Sequence, residues 1–388
     1  MLALGTALAD RGHDVTFETW SRWRGHAEAA GMRFVAAPEY PVFPTMERWL
    51  KPYEVVTRAT GPTREAIARA RPDVVVHDIL TLAPALAAEL EGVPSATLVP
   101  HLYPVPAPGC PPYAIGARPP RTGIGARAWR AVDPAMQRGL RIGRAELNET
   151  RHRLGLPAVD RPYGGLSDRL VLVGTFPALE YPREWPAHVH VVGPLMWEPP
   201  YEEVPLPPGD GPLVLVAPST AQDPQHRMLR AALPGLVRAG RRRGTPIRVI
   251  ATTNRRHLPA PVPLGPGQTL VDWISYARTM PHVDAVICHA GHGTLVRALA
   301  CGVPVLAVPH VGDMGENAAR LDWSGAGVRL PWRFVTPRAV GLAAARLLDP
   351  SADFRNRAQA FAAWGREHDA AAAAARLVER LGARQPLT

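Results

Sequence analysis

The stretch "DAVICHAGHGTLVRALACGVPVLAVPHVGDMGENAARL" at positions 284–321 decides the fold. An apolar run over 284–289 reads as a buried strand, and it passes through His289-Ala-Gly-His-Gly-Thr294 into a helical pattern over 294–301. A second strand, "VPVLAVP" (303–309), and a second helix, 315–325, follow at once. Strand, Gly-rich turn, helix and strand form the repeating unit of a parallel sheet. Small residues at 290, 291 and 293 let a ligand approach the backbone. The helix N-terminus offers free N–H groups and a partial positive charge, which suit phosphate. His289 and the Thr294 hydroxyl add direct donors, although a plain tight turn with a capping threonine also fits this spacing.

The same alternation extends outward in both directions. Before this stretch lie "LVLVAP" (213–218), a helix over 225–240 and "IRVIATT" (247–253). The N-terminal part alternates likewise, with strands at 13–19, 32–38, 73–78, 95–100, 168–175 and 188–194 and helices between them. Residues 102–125 are rich in Pro and Gly and read as a long surface loop. "WEPPYEEVPLPPGDGP" (197–212) has no periodicity and reads as a flexible linker. The expected organisation is an α/β protein of two Rossmann-like domains facing each other across a cleft. They are an N-terminal domain (1–196), the linker (197–212), a C-terminal domain (213–365) and a final helix and tail (366–388).

Composition excludes several classes. Hydrophobic residues make up 46% and charged residues 20%, ordinary values for a globular chain. No apolar run reaches the about 20 residues that span a bilayer. Asp10 and Arg11 interrupt any signal-peptide core, so the cytoplasm is the expected address. Cys110, Cys288 and Cys301 lack C-x-x-C spacing, and no D-x-D pair or His/Cys cluster has ligand spacing, so neither a disulfide framework nor a metal site is expected. The net charge of +10 is carried by scattered arginines, with Lys51 the only lysine; this reads as coding bias rather than a nucleic-acid surface. "GIGARA" (123–128) is a weak dinucleotide signal, since no strand precedes it.

The 284–321 stretch resembles the donor-binding motif of family 1 glycosyltransferases, the bacterial natural-product branch with the GT-B fold. The family pattern runs H-x-G-x-G-T, then G-V-P, then P-x-x-x-D-Q-x-x-N-A. This chain shows His289, Gly291, Gly293 and Thr294, then Gly302-Val303-Pro304, then Pro309, Asp313, Asn317 and Ala318. The resemblance continues through "VDWISYARTMPHVDAV", the loop at Ser219 and Thr220, and "RGHDV" near the start. It implies that Trp273 stacks on the nucleotide base, with Ser275 nearby. It further implies that His289, Thr294 and the backbone at Gly291 and Gly293 hold the diphosphate, and that Asp313 bonds the sugar. No cofactor is implied beyond the nucleotide-sugar co-substrate. Three positions depart from the pattern: Ser275-Tyr276 replace Pro-Gln, Arg297 replaces a ribose-binding Glu, and Met314 replaces a sugar-contacting Gln. Arg297 leaves base and ribose selectivity open, with phosphate as its other candidate partner. Met314 offers a thioether in place of an amide, which points to a deoxygenated sugar.

Inverting transfer needs a base to deprotonate the acceptor. In the family that base is a histidine of a G-H-x-x-P loop, paired with an aspartate. The chain opens "MLALGTALADRGHDVTFET", a helix followed by a strand, and the resemblance puts the first strand and that histidine about four residues ahead of Met1. Met1 is therefore expected to be an internal methionine of a longer chain, the alternative being a truncated, inactive protein. Asp78, at the end of "DVVVHD", matches the aspartate, although a helix N-cap is its plainer role. His77 faces the opposite way along the strand.

His101, Tyr103 and Trp129, with Tyr113, are candidates for gripping a hydrophobic small-molecule acceptor; their bland alternative is packing beneath the loop. Two other readings compete with a glycosyltransferase. A GT-B sugar-nucleotide epimerase would need acid/base carboxylates beyond Asp78 and Asp313, and a helper protein would bind the donor without turnover.

Overall fold

The structure, a computed structural model, describes residues 1–40, 52–107, 109–113, 115–201, 203–220 and 223–386. Pro108 and Ala114 of the expected loop, Glu202 of the expected linker and the last two residues of the tail lie outside the described residues.

The strands are β1 (Thr16–Thr19), β2 (Arg33–Ala36), β3 (Val75–Asp78), β4 (Ser95–Val99), β5 (Leu170–Val173), β6 (Val189–Val191), β7 (Leu213–Ala217), β8 (Arg248–Thr252), β9 (Gln268–Val271), β10 (Ala285–Cys288), β11 (Val305–Ala307) and β12 (Gly327–Arg329). The six C-terminal strands form one parallel sheet in the order β12-β11-β10-β7-β8-β9. From the centre, β7, β8 and β9 are added in turn toward one edge and β10, β11 and β12 toward the other, with all six strands parallel. The order therefore reverses between β7 and β10, where Ala217 is paired with Cys288. A sheet of this kind opens a crevice at the carboxyl ends of the two strands flanking the reversal. Both strands are apolar throughout and fully buried, as strands covered on two faces must be.

In the N-terminal part, β3-β4-β5-β6 form a second parallel sheet, and β1 pairs with β2 in a third. The final helix, Ala370–Gly382, crosses back to this part of the chain. Its Ala374, Ala375, Val378 and Leu381 share a core with Leu4, Leu98, Leu170 and Leu172. On its outer side Glu379 accepts from Arg11 at 2.6 Å and lies 2.8 Å from His13, so His13 belongs to a surface pair.

Segment 197–212 is irregular, as its prolines require, but it is fastened along its length. Glu198 accepts the backbone N–H of Tyr276 and Ala277 at 2.9 and 2.8 Å, and Arg248 donates to the carbonyls of Gly211 and Pro207 at 2.7 and 2.9 Å. The expected strands are present with trimmed ends, and the expected helices with ends shifted by a few residues, as in Arg227–Arg243 and His292–Ala300. The structure adds β9 and β12 and the helices Pro337–Leu347 and Phe354–Glu367.

Leu215 lies in β7 with no exposed surface, within the largest core cluster. Leu215→Ala should cost about 2–5 kcal/mol, as buried leucine truncations do, and lower the urea midpoint accordingly.

Candidate functional site

The carboxyl ends of β7 and β10 carry the residues singled out from the motif. After Cys288 the chain turns through Ala290, whose φ of +65° is unusual for a residue with a Cβ, and Gly291 caps the helix His292–Ala300. No side chain caps this helix, so the N–H groups of its first turn, including Gly293 and Thr294, remain open to a ligand. Gly291 leaves room for the imidazole: a Cβ there would lie 2.3 Å from the His289 Nε2, so the ring would have to move. The His289 ring stands over the turn with its Nδ1 3.4 Å from the Ala217 carbonyl, and burial lowers its pKa, keeping it neutral. Ser219, buried, and Thr220, exposed, follow β7 beside it.

Asp313 stands directly before the helix Met314–Ser324. Asn317 donates to both the Asp313 carboxylate, at 3.0 Å, and the Ala290 carbonyl, at 2.9 Å. One amide thus ties the aspartate to the left-handed turn. Met314 opens that helix, keeps 9% of its surface exposed and belongs to the same core cluster as Leu102 and Phe176.

Trp273 follows β9. Its indole is faced by the Tyr201 edge at 5.4 Å and by the Arg255 guanidinium at 4.6 Å. Arg255 reaches it from a strained turn, φ +58°, held by an N–H bond to the Asp272 carbonyl at 2.8 Å. Ser275 is buried and caps the helix Tyr276–Thr279 by accepting from Arg278 N at 3.2 Å, a structural task. Arg297 is engaged with the chain itself: it donates to the Trp197 carbonyl at 3.0 Å and lies 3.4 Å from the Glu198 carboxylate. A glutamate does reach this corner, but from the segment read as a linker.

The remaining candidates come from the N-terminal part. Asp78 ends β3 and accepts from Leu80 N at 2.8 Å, while the helix Ala83–Leu90 is capped by Leu82, so Asp78 is not its N-cap. Its charge acts on the Met1 amino group at the start of the first helix. His77 is 2% exposed, bound to Thr97 Oγ1 at 2.9 Å and to the Asp78 carbonyl at 3.1 Å; burial lowers its pKa and its role is structural. His101 is half-buried, with Nδ1 2.8 Å from the Leu102 carbonyl and 3.4 Å from the Tyr113 hydroxyl. Tyr103 is a core residue. It clusters with Val99, Val171 and Val173, and its ring meets the tilted Trp185 ring at 5.5 Å, so the structure places it in packing beneath the loop. Trp129 sits half-buried on the helix Gly123–Arg130.

His292 was given no role by the motif, yet it joins the two parts of the molecule. Its Nε2 is 3.0 Å from Thr175 Oγ1, and it also bonds the Pro100 backbone. Among the described residues no three His, Cys, Asp or Glu side chains stand together as a metal cluster, and no helix is long and apolar enough to cross a membrane.

Comparison with known proteins follows the same lines. Residues 246–380 match the family model described as "Erythromycin biosynthesis protein CIII-like, C-terminal domain". The chain is 31% identical to O-mycaminosyltylonolide 6-deoxyallosyltransferase of Streptomyces fradiae, over 84% of this chain and 81% of that protein. It is 28% identical to 4'-demethylrebeccamycin synthase of Lentzea aerocolonigenes, over 90% and 88%. Among solved structures, the glycosyltransferase of kitacinnamycin superposes with a TM-score of 0.73 at 20% identity, covering 98% of this chain and 94% of its own. Glycosyltransferase VinC in complex with dTDP gives 0.69 at 18%, covering 99% and 96%. These likenesses establish the GT-B fold.

Burial holds the His292 pKa down to about 3, against 6.5 for the free side chain. The unfolded chain therefore binds a proton between those values that the folded chain refuses, and stability falls as pH drops below 6.5. At pH 5 this one group costs about 2 kcal/mol. His292→Gln should lose less stability than the parent between pH 7.5 and 5, by about that amount, when urea midpoints are compared.

Proposed function

The chain belongs to the family 1 glycosyltransferases of bacterial natural-product biosynthesis, and on that premise we propose its reaction: it moves a hexose from a nucleoside-diphosphate sugar to a hydrophobic small-molecule acceptor, inverting the anomeric carbon without a metal ion. The observation that carries this reading is the uncapped N-terminus of the helix His292–Ala300, set at the strand-order reversal with His289 over Gly291.

Departure of a nucleoside diphosphate needs its growing negative charge to be stabilised as the bond to the sugar breaks. Open amides and the helix dipole supply fixed partial positive charge at no reorganisation cost. His289 adds to this. A diphosphate placed against it favours the imidazolium, which then donates to a phosphate oxygen. Asp313, held by Asn317, accepts from sugar hydroxyls. Trp273 offers its ring to the base, and Arg255, already over that ring, moves aside or stacks upon the base.

The acceptor hydroxyl attacks from the side of the N-terminal part as the diphosphate leaves, and its proton passes to a base. The resemblance assigns that base to a histidine next to the first helix. Asp78, beside that helix's first turn, is the group that would orient it. The acceptor side is lined by His101 and Tyr113, with Trp129 as an outlying contact. Met314 presents no hydrogen-bonding amide, which favours a deoxyhexose donor. The Streptomyces fradiae relative is named for transfer of a 6-deoxyallosyl group.

Calorimetry with dTDP and UDP tests the site directly. The parent should bind at least one of them. His289→Ala should weaken binding by about tenfold to a hundredfold, the worth of a charge-assisted hydrogen bond. Because His289 takes up a proton on binding, the parent should bind more tightly at pH 6 than at pH 8. That dependence should be reduced in the variant. A parent that binds neither nucleotide would overturn the reading. In a donor competition, Met314→Gln should shift the rate ratio of glucose to deoxyhexose transfer upward by about tenfold, as a regained hydrogen bond would.

A further inference from the structure

The helix Met314–Ser324 also works away from the candidate donor site. One turn along from Asp313 and Asn317, Glu316 and Arg320 enter the boundary with the N-terminal part. There Arg320 meets Glu180, and the side chains of Arg320, Glu180 and Glu316 are only 8%, 4% and 2% exposed. Arg320 donates through Nη1 to the Glu180 carboxylate at 2.8 Å and the Leu179 carbonyl at 3.3 Å, and through Nε to Glu316 at 3.0 Å. Its guanidinium lies 3.8 Å from the centre of the Tyr181 ring.

Each carboxylate uses its other oxygen to hold backbone from the segment after β4. Glu180 Oε1 accepts from Tyr103 N at 2.7 Å, and Glu316 Oε2 accepts from Gly116 N at 3.3 Å. The neighbouring contacts converge on the same few residues. Tyr181 donates to the Ala117 carbonyl at 2.9 Å, Arg329 donates to the Gly116 carbonyl, and Arg118 bonds Asp322 at 2.7 Å. Gly116 adopts φ +68°, and a Cβ on it would lie 2.6 Å from the Gly315 carbonyl oxygen. Residue 315 directly follows Met314. Residues 115–118 are thus pressed against the first turn of the helix that carries Asp313.

A buried cluster of this kind adds little net stability over an apolar filling, because desolvating three charges offsets their attraction. It does fix geometry, since its fork of hydrogen bonds tolerates little displacement. We infer that Glu180, Arg320 and Glu316 form a positioning clamp that sets segment 115–118, on the acceptor side, against the sugar end of the donor site. The inference rests on the glycosyl-transfer reading. The proposed donor contacts all come from the C-terminal part, so releasing the clamp leaves donor binding intact and spoils the in-line approach of the acceptor, which tolerates little misplacement.

The test compares the full chain with Glu180→Gln and with the milder Tyr181→Phe, which removes one bond to Ala117 without disturbing a buried charge. Hydrogen exchange at residues 115–118 should quicken at least tenfold in Glu180→Gln and about threefold in Tyr181→Phe, while dTDP affinity stays within twofold. With dTDP-glucose and 4-methylumbelliferone as probes, kcat should fall at least tenfold in Glu180→Gln at a donor KM within twofold. Unchanged exchange at 115–118 in both variants would overturn the clamp. So would a loss of dTDP affinity in step with faster exchange, since the cluster would then be building the donor site. A parent that binds no dTDP and no UDP defeats the transfer reading instead, while the exchange comparison still decides whether the clamp holds the segment.

Discussion

Everything at the candidate site hangs on the side-by-side pairing of β7 and β10. Because the strands that follow β7 and those that follow β10 are added toward opposite edges of the sheet, the connections leaving Ala217 and Cys288 diverge and open a crevice between them. A helix beginning immediately after β10 must then point its amino end into that gap. The polar backbone of the first turn is left to whatever enters, since the side chain that would cap it is absent at Gly291. The proposed anion site is therefore a consequence of strand order, with Gly291 leaving room for the His289 ring above it.

That arrangement stores some strain and resolves it with one amide. Ala290 in the left-handed region is unfavourable for a residue bearing a Cβ. Its carbonyl is held by Asn317, whose second bond orients Asp313. Strain in the turn and placement of the aspartate are thus two results of one interaction. A buried residue, Asn317 at 2% exposed, thus governs the position of the proposed sugar-binding aspartate.

The sequence made the C-terminal sheet and the motif turn legible because both are local: apolar strands of fixed period running into glycine and then helix. What it hid is non-local. Arg297 reads as an unexplained cation until Glu198 and the Trp197 carbonyl are brought to it from a proline-rich segment without periodicity. Ser275 reads as part of a ligand motif, and only the helix it caps shows its structural use. Tyr103 was open between ligand and core, and the choice depended on which face of the loop met Trp185. β9 and β12 escaped because strands of only four and three residues carry too little alternation to stand out.

His292 and the Arg320 cluster share a further reason for being invisible. Each is a polar residue among other polar residues of a short helix, and nothing in the sequence says which of them turns inward. Their partners, Thr175 and Glu180, lie five residues apart just after β5. Two helices of the C-terminal sheet, one opening beside the proposed phosphate site and one beside the proposed sugar site, are therefore fastened to the same short stretch of the N-terminal part. Apolar contact alone would let these surfaces slide, because burial is indifferent to register. Directional bonds from a neutral histidine and from a guanidinium forbid that sliding at two points. With the bonds of Arg118 to Asp322 and of Arg329 to the Gly116 carbonyl, they fix how the halves face each other across the cleft where an acceptor and a donor would have to meet.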